Sequence, residues 1–281
     1  MPLAPTRLGV CSWSIRPTSP ADLLQKVHAC GLRSVQLHLD PIRTFAWRAD
    51  ETAALLKTAR IRIPSGMMST KGEDYSTLES IKATGGLRPA ETWEENLRAA
   101  EANAIIAQRF GIPLITFHAG FLPHDQADPE RAIMLDRLTK IAETFASRGV
   151  RTALETGQES AATLLDLLKA INRRLPDNAK VGANFDPANM ILYGMGDPIE
   201  AAKMLAPHIM QVHIKDANPA DSLGEWGVEM PPGRGSVRWE SFFQTLDTAG
   251  YQGNYMIERE AGETRVEDVA AARAFVLSDS H

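Results

Sequence analysis

Six short apolar runs of this chain end on residues able to bind a metal ion or carry a proton: His38, His118, Glu155, Asp186, His213 and Glu258. Each has an ordinary explanation when taken singly. Glu155, closing Arg151-Thr152-Ala153-Leu154 ahead of Thr156-Gly157, could cap a helix or pair with a base. Asp186, ahead of Pro187, could cap the next turn. His213, inside Val212-His213-Ile214-Lys215-Asp216, could be a satisfied core histidine, and Glu258 could form a surface ion pair with Arg259. Together the last four pose a different problem. Three carboxylates and an imidazole on neighbouring elements repel one another unless a cation neutralises them. An oxygen-rich set with one nitrogen suits Mn²⁺, Mg²⁺ or Co²⁺ better than the thiolate and imidazole sites of structural zinc. One divalent ion is therefore expected, Mn²⁺ first, with Zn²⁺ the remaining candidate.

Such residues need a scaffold that brings strand ends to one place. Apolar runs without polar alternation recur at Leu8 to Trp13, Ser34 to His38, Ile61 to Met67, Leu114 to His118, Thr152 to Glu155, Val181 to Asp186, Ile209 to Lys215 and Asn254 to Glu258. That is the pattern of parallel strands buried on both faces. Helix punctuation fills the gaps: Ser19-Pro20 opens a helix that Gly31 ends, Asp128-Pro129 opens one that Gly149 closes, and Asp197-Pro198 opens one toward Pro207. Trp239 to Ala249 and Val266 to Leu277 complete the series. Eight β-then-α units without a composition break predict a single (β/α)8 TIM barrel over residues 1–281, in which strand C-termini converge at one mouth. An open doubly wound sheet would carry a glycine-rich turn after its first strand, and Cys11-Ser12-Trp13-Ser14-Ile15 contains no glycine. Ser69 to Arg88, polar and containing Gly85-Gly86, is expected to be a loop over the mouth.

Composition narrows the function classes. The 281 residues are 44% hydrophobic and 23% charged, ordinary usage for a folded chain with a large core. The formal charge of -5 is spread along the chain with no basic run, which argues against a nucleic-acid partner. Two cysteines, Cys11 and Cys30, have no metal-ligand spacing and read as reduced, partly buried thiols. The N-terminal Met-Pro-Leu-Ala-Pro-Thr-Arg has no apolar run of signal length, and no segment reads as a membrane span, so a cytoplasmic location is expected. Self-association into a homo-oligomer stays open.

The segments Ala153-Leu154-Glu155, Asn184-Phe185-Asp186-Pro187-Ala188-Asn189-Met190, Val212-His213-Ile214-Lys215-Asp216 and Ile257-Glu258-Arg259-Glu260 resemble the xylose isomerase-like superfamily, closest to its sugar phosphate isomerase/epimerase branch. Pro232-Gly233-Arg234-Gly235-Ser236-Val237-Arg238-Trp239 is similar to that branch's loop after the seventh strand. The resemblance implies that Glu155, Asp186, His213 and Glu258 ligate the metal, and that Glu155 and Glu258 flank a carbohydrate substrate as an acid/base pair. The chemistry is consistent: an ion on a carbonyl acidifies the neighbouring C–H, and a placed carboxylate moves the proton. His118, His38, Lys215, Arg234 and Trp13 are candidate substrate contacts, with loop anchoring, ion pairing or core packing as their alternatives. Asn189 joins them, standing where several ketose epimerases carry histidine.

The same resemblance includes abasic-site endonucleases that hold three zinc ions with additional histidines. Asn189 and Arg234 occupy places where those ligands would stand, which argues against phosphodiester cleavage. A lyase acting on a 3-keto-glycoside or an inosose shares the metal and the proton abstraction, and is the alternative to an isomerase or epimerase. A sugar-binding protein without catalysis is the third reading, disfavoured by the presence of all four ligand types.

Overall fold

The computed structural model describes residues 3–222 and 224–278. Eight strands close into a parallel barrel: β1 (Leu8–Cys11), β2 (Ser34–His38), β3 (Arg62–Met67), β4 (Leu114–Phe117), β5 (Arg151–Glu155), β6 (Gly182–Phe185), β7 (Ile209–Ile214) and β10 (Asn254–Ile257). Closure runs through β1 and β10, with Leu8 opposite Tyr255 and Val10 opposite Ile257. Between β7 and β10 a short antiparallel pair, β8 (Asp216–Asn218) and β9 (Val228–Met230), stands outside the barrel.

Helices wrap the strands in chain order: α1 (Pro20–Ala29), α2 (Asp40–Arg43), α3 (Ala49–Thr58), α4 (Leu78–Thr84), α5 (Ala90–Phe110), α6 (Pro129–Ala146), α7 (Ala161–Arg174), α8 (Pro187–Leu192), α9 (Pro198–Leu205), α10 (Trp239–Thr248) and α11 (Arg265–Leu277). The predicted caps are present. Ser19, Asp128 and Asp197 each accept a first-turn backbone N–H, with proline at the first helical position. No helix among the described residues is long and apolar enough to cross a membrane.

Alternation along each strand divides the labour. Outward residues such as Val35, Leu37, Ile115, Phe117, Val212 and Ile257 are buried against Leu23, Val27, Phe145, Leu167 and Phe242 of the helix layer. Many inward positions carry polar side chains, among them Gln36, Ser65, Thr116, Asn184 and Gln211, so the main apolar layer lies between strands and helices.

Two expectations change. Several strands stop early: β1 ends two residues before Trp13, which lies in a 3-10 turn over Ser12–Ile15, and His118, Asp186, Lys215 and Glu258 sit one residue past their strands, where the backbone leaves the ladder. The excursion 69–88 is not all loop, since Thr77 and Ser80 form a reciprocal capping box that nucleates α4. Its end is docked onto the barrel by Leu87 N–H donating to Ala119 O at 2.9 Å. Gly86 and Gly120 meet there backbone to backbone, both at positive φ. A Cβ at Gly86 would lie 2.1 Å from Gly120 N and one at Gly120 would lie 2.2 Å from Gly85 O, so neither position has room for a side chain.

Candidate metal centre

Glu155 closes β5, Asp186 follows β6, His213 lies near the end of β7 and Glu258 follows β10, so four strand ends deliver one side chain each. Their ligand atoms lie within 4.8 Å of one another, and all four residues are buried. His213 Nδ1 is 3.2 Å from Glu258 Oε2, 3.3 Å from Glu155 Oε1 and 3.6 Å from Asp186 Oδ2.

Asp186, His213 and Glu258 are each anchored by the atom that faces away, and Glu155 through both of its oxygens. Asp186 Oδ1 accepts from the backbone N–H groups of Ala188 and Asn189, so it caps α8 as well. Glu258 Oε1 accepts from Trp13 Nε1 at 2.7 Å. Glu155 takes Asn184 Nδ2 and Asn189 Nδ2, both at 3.2 Å. His213 Nε2 sits 2.9 Å from Gln36 Oε1 and 3.0 Å from Asn184 Nδ2. A cation at Nδ1 would leave the proton on Nε2, where Gln36 Oε1, which can only accept, receives it, while Asn184 Nδ2 donates to Glu155 Oε2.

Asp186 Oδ2, His213 Nδ1 and Glu258 Oε2 are buried without a hydrogen-bond partner, although Lys215 Nζ lies 3.0 Å from that Glu258 oxygen off hydrogen-bond alignment. Unpartnered buried polar atoms are rare because each costs about 1–3 kcal/mol. Three that converge with Glu155 Oε1 form a donor set fit for a divalent cation. The electrostatics reflect negative charge crowded in a buried place. Burial pushes the Asp186 carboxyl up to about 6. Burial opposes charge on Glu258 too, but Lys215 and His213 outweigh it and hold that carboxyl well below the usual range. Burial likewise opposes the His213 imidazolium, and Cys11, Glu155 and Glu258 raise it well above the usual histidine range.

A family model described as xylose isomerase-like TIM barrel matches residues 24–277. This chain belongs to that family. It is 32% identical to the xylose isomerase domain protein from Planctomyces limnophilus, with a TM-score of 0.81 and coverage of 90% of this chain and 89% of the other. The 3-keto-D-glucoside 4-epimerase from E. coli shares the fold at TM-score 0.73 and 16% identity, over 96% of this chain and 98% of the other. Among curated proteins, an L-ribulose-5-phosphate 3-epimerase from Salmonella paratyphi C is 42% identical over 73 residues. That match covers 25% of this chain and 23% of the relative, so it spans about a quarter of the curated protein's length.

Around this cluster the other candidates divide. Trp13 and Asn189 hold ligand-type carboxylates directly. Lys215 is shared between Glu258 and Glu260 Oε2, the latter at 2.6 Å, and not with Asp216. Asp216 instead accepts from the backbone of Gly233, Gly235 and Val237 and from Trp239 Nε1, fixing the loop that carries Arg234. Arg234 itself is exposed. His118 Nε2 is 3.7 Å from Glu155 Oε1. His38 packs edge-on to Trp13 and faces Ser69 Oγ at 3.0 Å. Glu258 does not pair with Arg259, which binds Glu229 and Asp268.

Beneath the cluster lies a buried polar layer that the sequence analysis missed. Gln36, Thr116, Asn184 and Gln211 hydrogen-bond across the barrel interior, with Gln211 Nε2 donating to Gln36 Oε1 and Asn184 Oδ1. Cys11 joins it as a thiol, 3.4 Å from Gln36 Oε1, with burial pushing its pKa up to about 12. Both cysteines are fully buried and free. Gln36→Leu removes the carbonyl that accepts from His213 Nε2. It is expected to weaken Mn²⁺ binding about 10 to 100-fold in a chelator competition, the usual cost of losing a ligand's outer partner. Unchanged affinity would show that this hydrogen bond does not support the ligand.

Proposed function

We propose that this protein is a divalent-metal-dependent sugar isomerase or epimerase that moves a proton at the carbon next to a carbonyl. Glu155, Asp186, His213 and Glu258 hold one ion, Mn²⁺ preferred, and Glu155 and Glu258 form the acid/base pair. The observation that carries this reading is the convergence of three buried, unpartnered atoms, Asp186 Oδ2, His213 Nδ1 and Glu258 Oε2, on a shared position. The ion would polarise the carbonyl oxygen and stabilise the negative charge left when the neighbouring C–H is broken.

The rest falls to the chain. Glu155 and Glu258 stand on strands separated by β6 and β7, so their carboxylates reach the site from different sides. One can remove the proton and the other return it on the opposite face, which inverts the carbon; a single carboxylate suffices for isomerisation. Trp13 fixes one oxygen of Glu258 and leaves the other to the site. The epimerases named among the similar proteins have names that place the inverted carbon beside a ketone, which supports the same proton chemistry here.

The test is deuterium uptake next to the carbonyl when the Mn²⁺-loaded protein meets keto-sugars in D₂O. Dehydrated product would move the assignment to the lyase reading. Duplex DNA carrying an abasic site is expected to stay uncut at neutral pH even with added Zn²⁺, as followed on a denaturing gel. The further ligand grouping among the described residues, Cys11 with His213 and Glu258, overlaps the first and supplies no second or third ion. Metal-dependent nicking would overturn this.

A further inference from the structure

A narrow cleft of about 10 Å³, room for about one water-sized group, opens beside the ligand cluster and shares Glu155 with it. Glu73, Tyr75, His118, Glu159 and Tyr193 supply its other ionisable walls, and no lysine or arginine lines it among the described residues. Two of these walls come from the docked excursion. Glu73 Oε1 is held by Thr70 Oγ1 at 2.7 Å and by Gly86 N–H at 3.1 Å, which fixes the carboxylate at the cleft.

We infer that this cleft takes the hydroxyl-bearing end of an unphosphorylated keto-sugar and rejects the corresponding sugar phosphates. The inference rests on the reading of the cluster as a site for sugar proton transfer. Phosphate sites are built from arginine, lysine or open helix N-termini. Of the cations nearby, Lys215 lies between Glu258 and Glu260 and His118 faces Glu155, while Arg234 is exposed on the loop after β9 and does not line the cleft. The start of α7 follows Glu159, but Ser160 Oγ accepts its Thr163 N–H, so the helix caps itself. What remains suits hydroxyl groups. Tyr75 and Tyr193 offer phenols, Glu73 accepts, and burial pushes the Glu159 carboxyl up to about 8, which keeps it a donor at neutral pH. Facing a phosphate dianion with the fixed Glu73 carboxylate and no lysine or arginine costs on the order of 10² to 10³-fold in affinity.

Calorimetric titration of the Mn²⁺-loaded protein with the D-2-ketohexoses and their 1- and 6-phosphates tests this. At least one free ketose should bind about 10²-fold or more tighter than its phosphates. Glu73→Gln keeps the acceptor for Thr70 and Gly86 while removing the charge, and should narrow that gap about tenfold by tightening phosphate binding. A phosphate that binds as well as its free sugar, or no binding by any free ketose, overturns the inference. Deuterium exchange run on the same samples separates the two claims: selective binding without exchange sinks the proton-transfer reading and leaves the selectivity standing.

Discussion

Glu258→Gln is expected to slow proton exchange at the carbon next to the carbonyl by about 10² to 10⁴-fold at saturating Mn²⁺, the cost of losing a general base. The substitution keeps the shape and removes the basicity. It also forces a choice, because an amide has one acceptor where the carboxylate had two. The native side chain uses one oxygen for Trp13 Nε1 and directs the other to the cluster. In the variant either the Trp13 bond or the inward acceptor is lost, so metal affinity should fall too, and occupancy has to be measured in the same sample. Exchange at the wild-type rate in a fully loaded variant would make Glu258 a ligand only, and the base would then be sought at Glu155, His118 or Lys215.

Asp186→Ala and His213→Ala are each expected to weaken metal binding beyond the roughly 10 to 100-fold cost of losing an outer partner, because each removes a ligand itself. Elemental analysis after gel filtration reads this directly, with about one ion per wild-type chain. Stability offers a second readout. An ion at a hundred times its dissociation constant stabilises the folded wild type by about 2.7 kcal/mol, which appears as a rise in melting temperature of several degrees. Both variants should lose that rise. Asp186→Ala also deletes the cap of α8, worth about 1 kcal/mol, whereas Asp186→Asn keeps an oxygen for Ala188 and Asn189 and isolates the loss of the charge. Full metal content in both alanine variants would show that the ion sits elsewhere.

The barrel was legible because each strand announces itself as an uninterrupted apolar run and each helix by its cap. The family resemblance pointed the same way. Asp128, Asp197 and Ser19 were readable since a short oxygen side chain ahead of proline has few other uses in a folded chain. The convergence of Glu155, Asp186, His213 and Glu258 followed from their shared place at strand ends. The layer below was not seen, although its signal was present: Gln36, Thr116, Asn184 and Gln211 each stand two residues before a polar strand-end residue. With a side-chain period of two, each pair must share a face. Glu73 and Tyr75 gave no such signal. They reach the cleft only because α4 and the Gly86–Gly120 contact fold the excursion back, and that close approach is set by residues far apart in sequence.

The alternation of apolar outward and polar inward residues along the strands has an evolutionary consequence. Val212 answers to the helix layer, while Gln211 and His213, on either side of it, answer to the interior and its chemistry. Odd and even positions of one strand are therefore judged by different criteria. A lineage built on this scaffold can exchange its mouth and lumen residues, and with them its substrate, while the fold's cohesion is maintained by neighbours that never meet the substrate.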